Sequence, residues 1–193
     1  MKKAELKILS MVCISILSLS FQLQPPKEDY NICWSENLRL KWDDFQAPPD
    51  TTLNVNAQTA TNVRTSGYGN SEVPNFRVSN IFIKSKSWSS DTTSSLLLQH
   101  EQLHFDISEL CARRIREGID EMRRKKVVER DRYTKLIDEK LKEMDKLNAE
   151  YDRKTFNGSI DLLQKEWNKR IKNELNLLRK YATRVEDCVA NNE

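Results

Sequence analysis

Several residue types are scarce in this chain, and each shortage closes off a class of function. Only two histidines occur in 193 residues, so a metal site built from three histidines is excluded. Charge of one sign is missing too: 32 basic and 29 acidic residues leave a net charge of +3. Such a balance demands neither nucleic acid nor an anionic surface as partner. No apolar run reaches the roughly 20 residues of a comfortable transmembrane helix, so no stable membrane span is expected once the leader is removed. Four cysteines are present. One of them, Cys13, lies in the leader, and the remaining three allow one disulfide with a thiol left over.

What is present begins with an export signal. Lys2, Lys3 and Lys7 precede the uncharged apolar run Ile8 to Phe21, and the small residues Ser18 and Ser20 suit cleavage after Ser20. Ser10-Met11-Val12 before Cys13 matches a lipobox poorly. The expected organisation is a signal peptide over 1–20, a linker over 21–29 containing Pro25-Pro26, and one domain over 30–193. Aromatic and small polar residues gather in 30–90 and charged residues in 91–193, which predicts an α+β fold with a β-rich first part and a helical second part. The chain is expected in the periplasm or the medium.

In the first part, Trp34, Leu38, Leu40 and Trp42 alternate with polar residues like a half-buried strand that Ala47-Pro48-Pro49-Asp50 ends. Leu53 to Val63 has the clearest period-two pattern. Ser66-Gly67-Tyr68-Gly69-Asn70 reads as a turn. Phe76 to Trp88 reads as an edge strand with Ile81, Ile83, Ser85 and Ser87 on one face and Lys84 and Lys86 on the other. Lysines protect edges from unwanted pairing, and such an edge also offers strand addition to an extended peptide.

In the second part, a Ser/Thr-rich turn introduces a helix expected over about Ser94 to Gly118, where Gly118 is either a weak point or a site of close packing. Apolar stripes through Tyr133–Tyr151 and Ile160–Tyr181 predict a helical hairpin, broken at Thr155-Phe156-Asn157-Gly158-Ser159 with Ser159 as N-cap. Arg123-Arg124-Lys125-Lys126 is a solvated face with acidic neighbours. Cys111 and Cys188 make a reasonable disulfide pair with Cys33 left over; alternatively all three are buried thiols.

Both histidines belong to His100-Glu101-Gln102-Leu103-His104, which carries the zincin signature H-E-x-x-H. On a helix they lie about 40° apart around the axis, so both rings reach one metal ion, while Glu101 is placed as general base for a metal-bound water. Two randomly placed histidines four apart, the first followed by Glu, arise on the order of once in a thousand such chains. A third ligand is still required. Asp106 and Glu109 project at about 240° and 180°, on the far side of the helix, where a supporting or structural role is expected. Cys111 projects at about 20° but lies about 10 Å further along the axis. The ligand is therefore sought in the hairpin, where Asp152 offers an anionic oxygen, Asn157 is a further candidate, and Tyr151 is positioned to donate to an oxyanion.

The string His100-Glu101-Gln102-Leu103-His104-Phe105-Asp106, followed by Ile107-Ser108-Glu109-Leu110-Cys111-Ala112-Arg113, resembles a family of bacterial exported proteins of uncharacterised function described as predicted secreted zinc-dependent proteases. Leu40-Lys41-Trp42-Asp43-Asp44-Phe45, the Thr-bearing strand near Thr59, Ser87-Trp88, Tyr151-Asp152-x-x-Thr155 and Gln164-x-x-Trp167 are similar as well. The resemblance implies a small antiparallel β layer on a zincin-like helix followed by a helical hairpin, a Zn²⁺ cofactor, and a peptide or protein substrate. It also implies a departure: the family pattern carries a histidine where this chain has Asn157. If that histidine is a ligand, zinc binding here is weakened, or Asp152 is recruited instead. Two functions of different class remain. One is an exported zinc metallopeptidase with His100, His104 and Glu101 at its centre. The other is a non-catalytic exported binding or envelope module whose metal is structural, weakened or absent.

Overall fold

The computed structural model describes residues 31–189; the expected leader and linker lie outside them. The fold is α+β, as expected. A three-stranded antiparallel sheet has the order β1-β4-β3, formed by β1 (Ile32–Cys33), β3 (Thr61–Tyr68) and β4 (Asn75–Phe82). Registers run from Thr61 opposite Phe82 to Tyr68 opposite Asn75. A second, two-stranded ladder pairs β2 (Ala57–Gln58) with β5 (Trp88–Ser89). Three long helices follow: α1 (Ser95–Arg124), α2 (Arg130–Thr155) and α3 (Asp161–Leu177); a short α4 (Val185–Val189) ends the described chain.

Helix α1 forms because its apolar residues repeat at three and four spacing and because Ser94 caps it, its Oγ accepting from the Leu97 N–H at 3.1 Å. It is the shared wall of two cores. Leu103, Phe105, Ile107 and Leu110 pack with Trp34, Phe82, Tyr151, Trp167 and Ile171. Further along, Cys111, Ala112, Ile115 and Ile119 pack with Val63, Val78, Tyr133 and Ile137. The helix passes Gly118 without a break. A Cβ there would lie 2.7 and 2.9 Å from the Leu136 methyl carbons, so Gly118 is the close-packing site where α2 crosses α1.

The β half differs from expectation in four places. The first predicted strand, Trp34 to Trp42, forms no ladder; the short strand Ile32–Cys33 precedes it, and the segment through Trp42 is instead a strap pinned to α1. Trp34 Nε1 donates to Asp106 Oδ1 at 2.8 Å, and the Leu40 N–H donates to Gln102 Oε1 at 2.8 Å. Its apolar alternation thus reflects two buried anchors rather than strand pairing. The period-two run from Leu53 begins as turns, with Leu53 and Val55 exposed, and pairs only from Ala57. Ser66, Gly67 and Tyr68 belong to β3, leaving 69–74 as the loop. Strand β4 is central, not an edge, and stops at Phe82. Lys84 and Lys86 sit in a 3-10 turn that Ser87 closes: its hydroxyl donates to the Ile83 carbonyl at 2.9 Å and accepts from the Ala60 N–H at 3.0 Å.

Two further expectations are corrected in the helical half. The residue preceding α3 as cap is Ile160, without a side-chain cap, rather than Ser159. The disulfide joins Cys33 to Cys188, and Cys111 is a buried thiol. The C-terminal run is led back to β1 by Glu109. Its carboxylate accepts from Thr183 N at 2.8 Å, Thr183 Oγ1 at 2.6 Å and Arg113 Nε at 2.9 Å.

Candidate metal centre

The start of α1 and the end of α2 lie side by side, and three side chains converge between them. His100 and His104 present Nε2 atoms 3.2 Å apart. Asp152 Oδ1 stands 3.2 Å from the first and 2.9 Å from the second. Tetrahedral zinc with bonds of about 2.0–2.1 Å places its ligand atoms about 3.3 Å apart. The triangle is therefore close to the size that zinc requires, and its two imidazoles and one carboxylate are donors that zinc favours. Of the candidates for the third ligand, Asp152 is the one the fold brings to the histidines.

The partners of the two Nδ1 atoms strengthen the fit. His104 Nδ1 faces the Asn148 side-chain oxygen at 2.9 Å, and His100 Nδ1 faces the Gln164 side-chain oxygen at 3.3 Å. With each amide oxygen accepting from Nδ1–H, the neutral rings turn bare Nε2 lone pairs into the same space, which is the tautomer a metal requires. Two such lone pairs and a carboxylate repel one another unless a cation or proton lies among them. Without a metal a proton on Nε2 fills that place, donated to Asp152, and the titration directions follow from it. Burial alone lowers the His104 pKa, but hydrogen bonding and charge from Asp152, with the charge of Glu101, outweigh it and raise the value. Burial acts upward on Asp152, and the hydrogen bonds from His100 and His104 overcome it, holding this carboxyl far below the usual range.

Glu101 completes the arrangement. It is 3% exposed, lines the same cavity as the three donors, and its Oε2 has no hydrogen-bond partner among the described residues. An unpartnered buried carboxylate oxygen is costly, and it marks the place where a further polar species belongs. The cavity holds about 490 Å³; its walls include Gln58, Thr59, Leu97, Asn148 and Phe156. Thr59 Oγ1 donates to the Glu101 carbonyl at 3.2 Å, tying the β2 end to the site.

The remaining expected residues serve otherwise. Tyr151 is fully buried, and its ring stacks on His100 with centroids 4.5 Å apart. Its hydroxyl donates to Gln164 Oε1 at 2.6 Å, so it braces the histidine from behind rather than facing the cavity as an oxyanion donor. Burial pushes its pKa strongly upward. Asn157 lines the same cavity and is exposed. Asp106 and Glu109 take the structural role that was one of the two expected for them: the first pins the Trp34 strap, the second the C-terminal run. The two histidine rings are held by Asn148 and Gln164, which sequence reasoning did not single out as site residues. Asn148 lies four residues before Asp152 on α2, and that spacing on the ligand face is the signal that marks it. Gln164 had only its place in the Gln164-x-x-Trp167 resemblance.

Fold and site together define an α+β protein with a possible His-His-Asp metal-binding group on the first long helix and its neighbour. The chain belongs to a bacterial family described as "Bacterial protein of unknown function (DUF922)", whose model matches residues 48–158 and so spans His100, Glu101, His104 and Asp152. No curated protein and no solved structure matches it.

Proposed function

We propose that this protein is an exported zinc-dependent hydrolase acting on peptide bonds, with His100, His104 and Asp152 as ligands and Glu101 as general base. The observation that carries the reading is the pairing of a zinc-sized triangle of bare donor atoms with the orphaned Glu101 Oε2 in one open cavity. Zinc held there would supply a water of lowered pKa and polarise a carbonyl. Glu101 Oε2 takes the proton of the attacking water and passes it to the departing amine. Asn148 and Gln164 keep the two Nδ1 protons in place, so that both Nε2 atoms stay available. Tyr151, stacked behind His100, fixes the plane of that ring.

Export is supported by the Cys33–Cys188 disulfide, since such bonds persist in oxidising compartments. Among the described residues no helix is long and apolar enough to cross a membrane. The substrate in this reading is a peptide or protein segment laid along the cavity between the β2 end and the hairpin.

The test is hydrolysis of a mixed peptide library by the zinc-loaded protein, followed by mass spectrometry, beside Glu101→Gln. New cleavage products are expected from the parent and a loss of at least about 100-fold in the variant, with zinc content unchanged. Cleavage that survives Glu101→Gln would remove the general-base assignment.

A further inference from the structure

The opposite flank of α1 carries a second, larger cavity of about 610 Å³ that has no part in the metal centre. Its floor comes from Leu98, Leu103 and Asp106 of α1, and one wall is the strap from Trp34 to Leu40. The other wall is one face of α3 and the turn beyond it, where Asn168, Lys172, Leu175, Asn176 and Arg179 recur at three and four spacing.

The strap wall is held by the two motif residues that the metal chemistry leaves unused. Gln102 holds the Leu40 N–H and also donates to Asp106 Oδ1 at 3.2 Å; Asp106 in turn holds the Trp34 indole. Those contacts keep the strap standing off α1, with Leu98, Leu103 and Leu175 below it. The charges at this cavity are mixed: the Glu36 carboxylate on the strap is an exposed anion, outnumbered by the cations. Arg113 is buried and engaged by Glu109 and the Leu175 carbonyl, and Asp106 is engaged as described. Arg39 donates to the Glu36 and Leu38 carbonyls. Lys172 and Arg179 are exposed cations on the wall, and their side chains make no hydrogen bond or ion pair among the described residues. An apolar hollow of this size with a few convergent polar groups has the form of a small-molecule site. Two free cations beside it call for an anionic end on the occupant.

We infer that this cavity binds a small amphipathic carboxylate, a free medium-chain alkyl acid, with its chain over Leu98, Leu103 and Leu175 and its carboxylate at Lys172 and Arg179. The inference does not rest on the metal chemistry, because the two cavities lie on different flanks of α1.

Isothermal titration of the full chain with decanoate, below its micelle concentration, tests it. Saturable binding at one site per chain is expected. It should weaken at least about tenfold in Lys172→Gln/Arg179→Gln, whose replaced side chains are exposed and leave the core intact, and by a similar factor when decanol replaces decanoate. Leu98→Asp should abolish it. The inference is overturned by an absence of saturable binding, by equal affinity for decanoate and decanol, or by binding that the double substitution leaves unchanged.

Discussion

Replacing Gly158 by alanine probes the coupling between the hairpin turn and the metal centre. The turn after α2 holds Phe156 at φ 52°, Asn157 at 51° and Gly158 at 77°, three left-handed residues in succession. A Cβ on Gly158 would lie 2.7 Å from both Cβ and Cγ of His100 and 3.1 Å from its Nδ1. The left-handed conformation costs an L-residue about 1–2 kcal/mol. Displacing a packed ring against its neighbours costs about 1–3 kcal/mol more. Urea unfolding of the zinc-free chain should therefore show a loss of roughly 2–5 kcal/mol. Zinc affinity should fall as well, because His100 is fixed by the Tyr151 ring behind it and can move only out of the donor triangle. Phe156→Gly, at an exposed left-handed cap, is the control and should gain a few tenths to about 1 kcal/mol. A Gly158→Ala protein within about 0.5 kcal/mol of the parent, with unchanged zinc affinity, would refute the close approach of turn and histidine.

Other consequences follow from the same contacts. Asn148→Ala should lower zinc affinity about 10–100-fold with little change in fold, read by competition with a chelating dye. Protons and zinc compete for His104 Nε2; because its pKa is raised above the ordinary 6.5, zinc affinity should climb through pH 6.5 and beyond and be lost on acidification. In the zinc-free chain the raised His104 value stabilises the fold fully below pH 6.5 and is lost as pH rises through that value. The depressed Asp152 value stabilises it above about pH 3.8 and is lost as pH falls through its own. Asp152→Asn should flatten both limbs of the urea midpoint against pH. Cys188→Ser opens a loop of 155 residues and should cost about 5 kcal/mol on chain-entropy grounds, seen in urea unfolding. Burial raises the Cys111 thiol to about 12, so iodoacetamide at pH 8 should label it only after unfolding.

The helices were legible because burial of one face imposes a period that any reader of the chain can see. Tyr133, Ile137 and Tyr151 on α2, and Trp167, Ile171 and Leu175 on α3, are the buried apolar positions. The strands were less legible because period-two apolar spacing also arises in a strap held by point anchors. Trp34 and Leu40 are buried through Asp106 and Gln102, 72 and 62 residues away, and no local pattern carries that distance. The metal centre divides in the same way. His100, Glu101 and His104 are set by one helical turn, and eliminating residues on the wrong face of α1 pointed to the hairpin but left Asp152 and Asn157 both open. Asn148, Gln164 and Gly158 became site residues only because α2 and α3 fold back over α1. The Cys33–Cys188 bond likewise depends on Glu109 capturing Thr183, a contact across 74 residues.

The most direct test of the account is zinc titration of the mature protein, prepared without a histidine tag, beside Asp152→Asn and His100→Ala/His104→Ala. One zinc per chain is expected in the parent, at least about 100-fold weaker binding in Asp152→Asn, and none in the double variant. A parent that binds no zinc, or an Asp152→Asn protein that binds it as tightly as the parent, would contradict the claim that these three side chains form a metal centre.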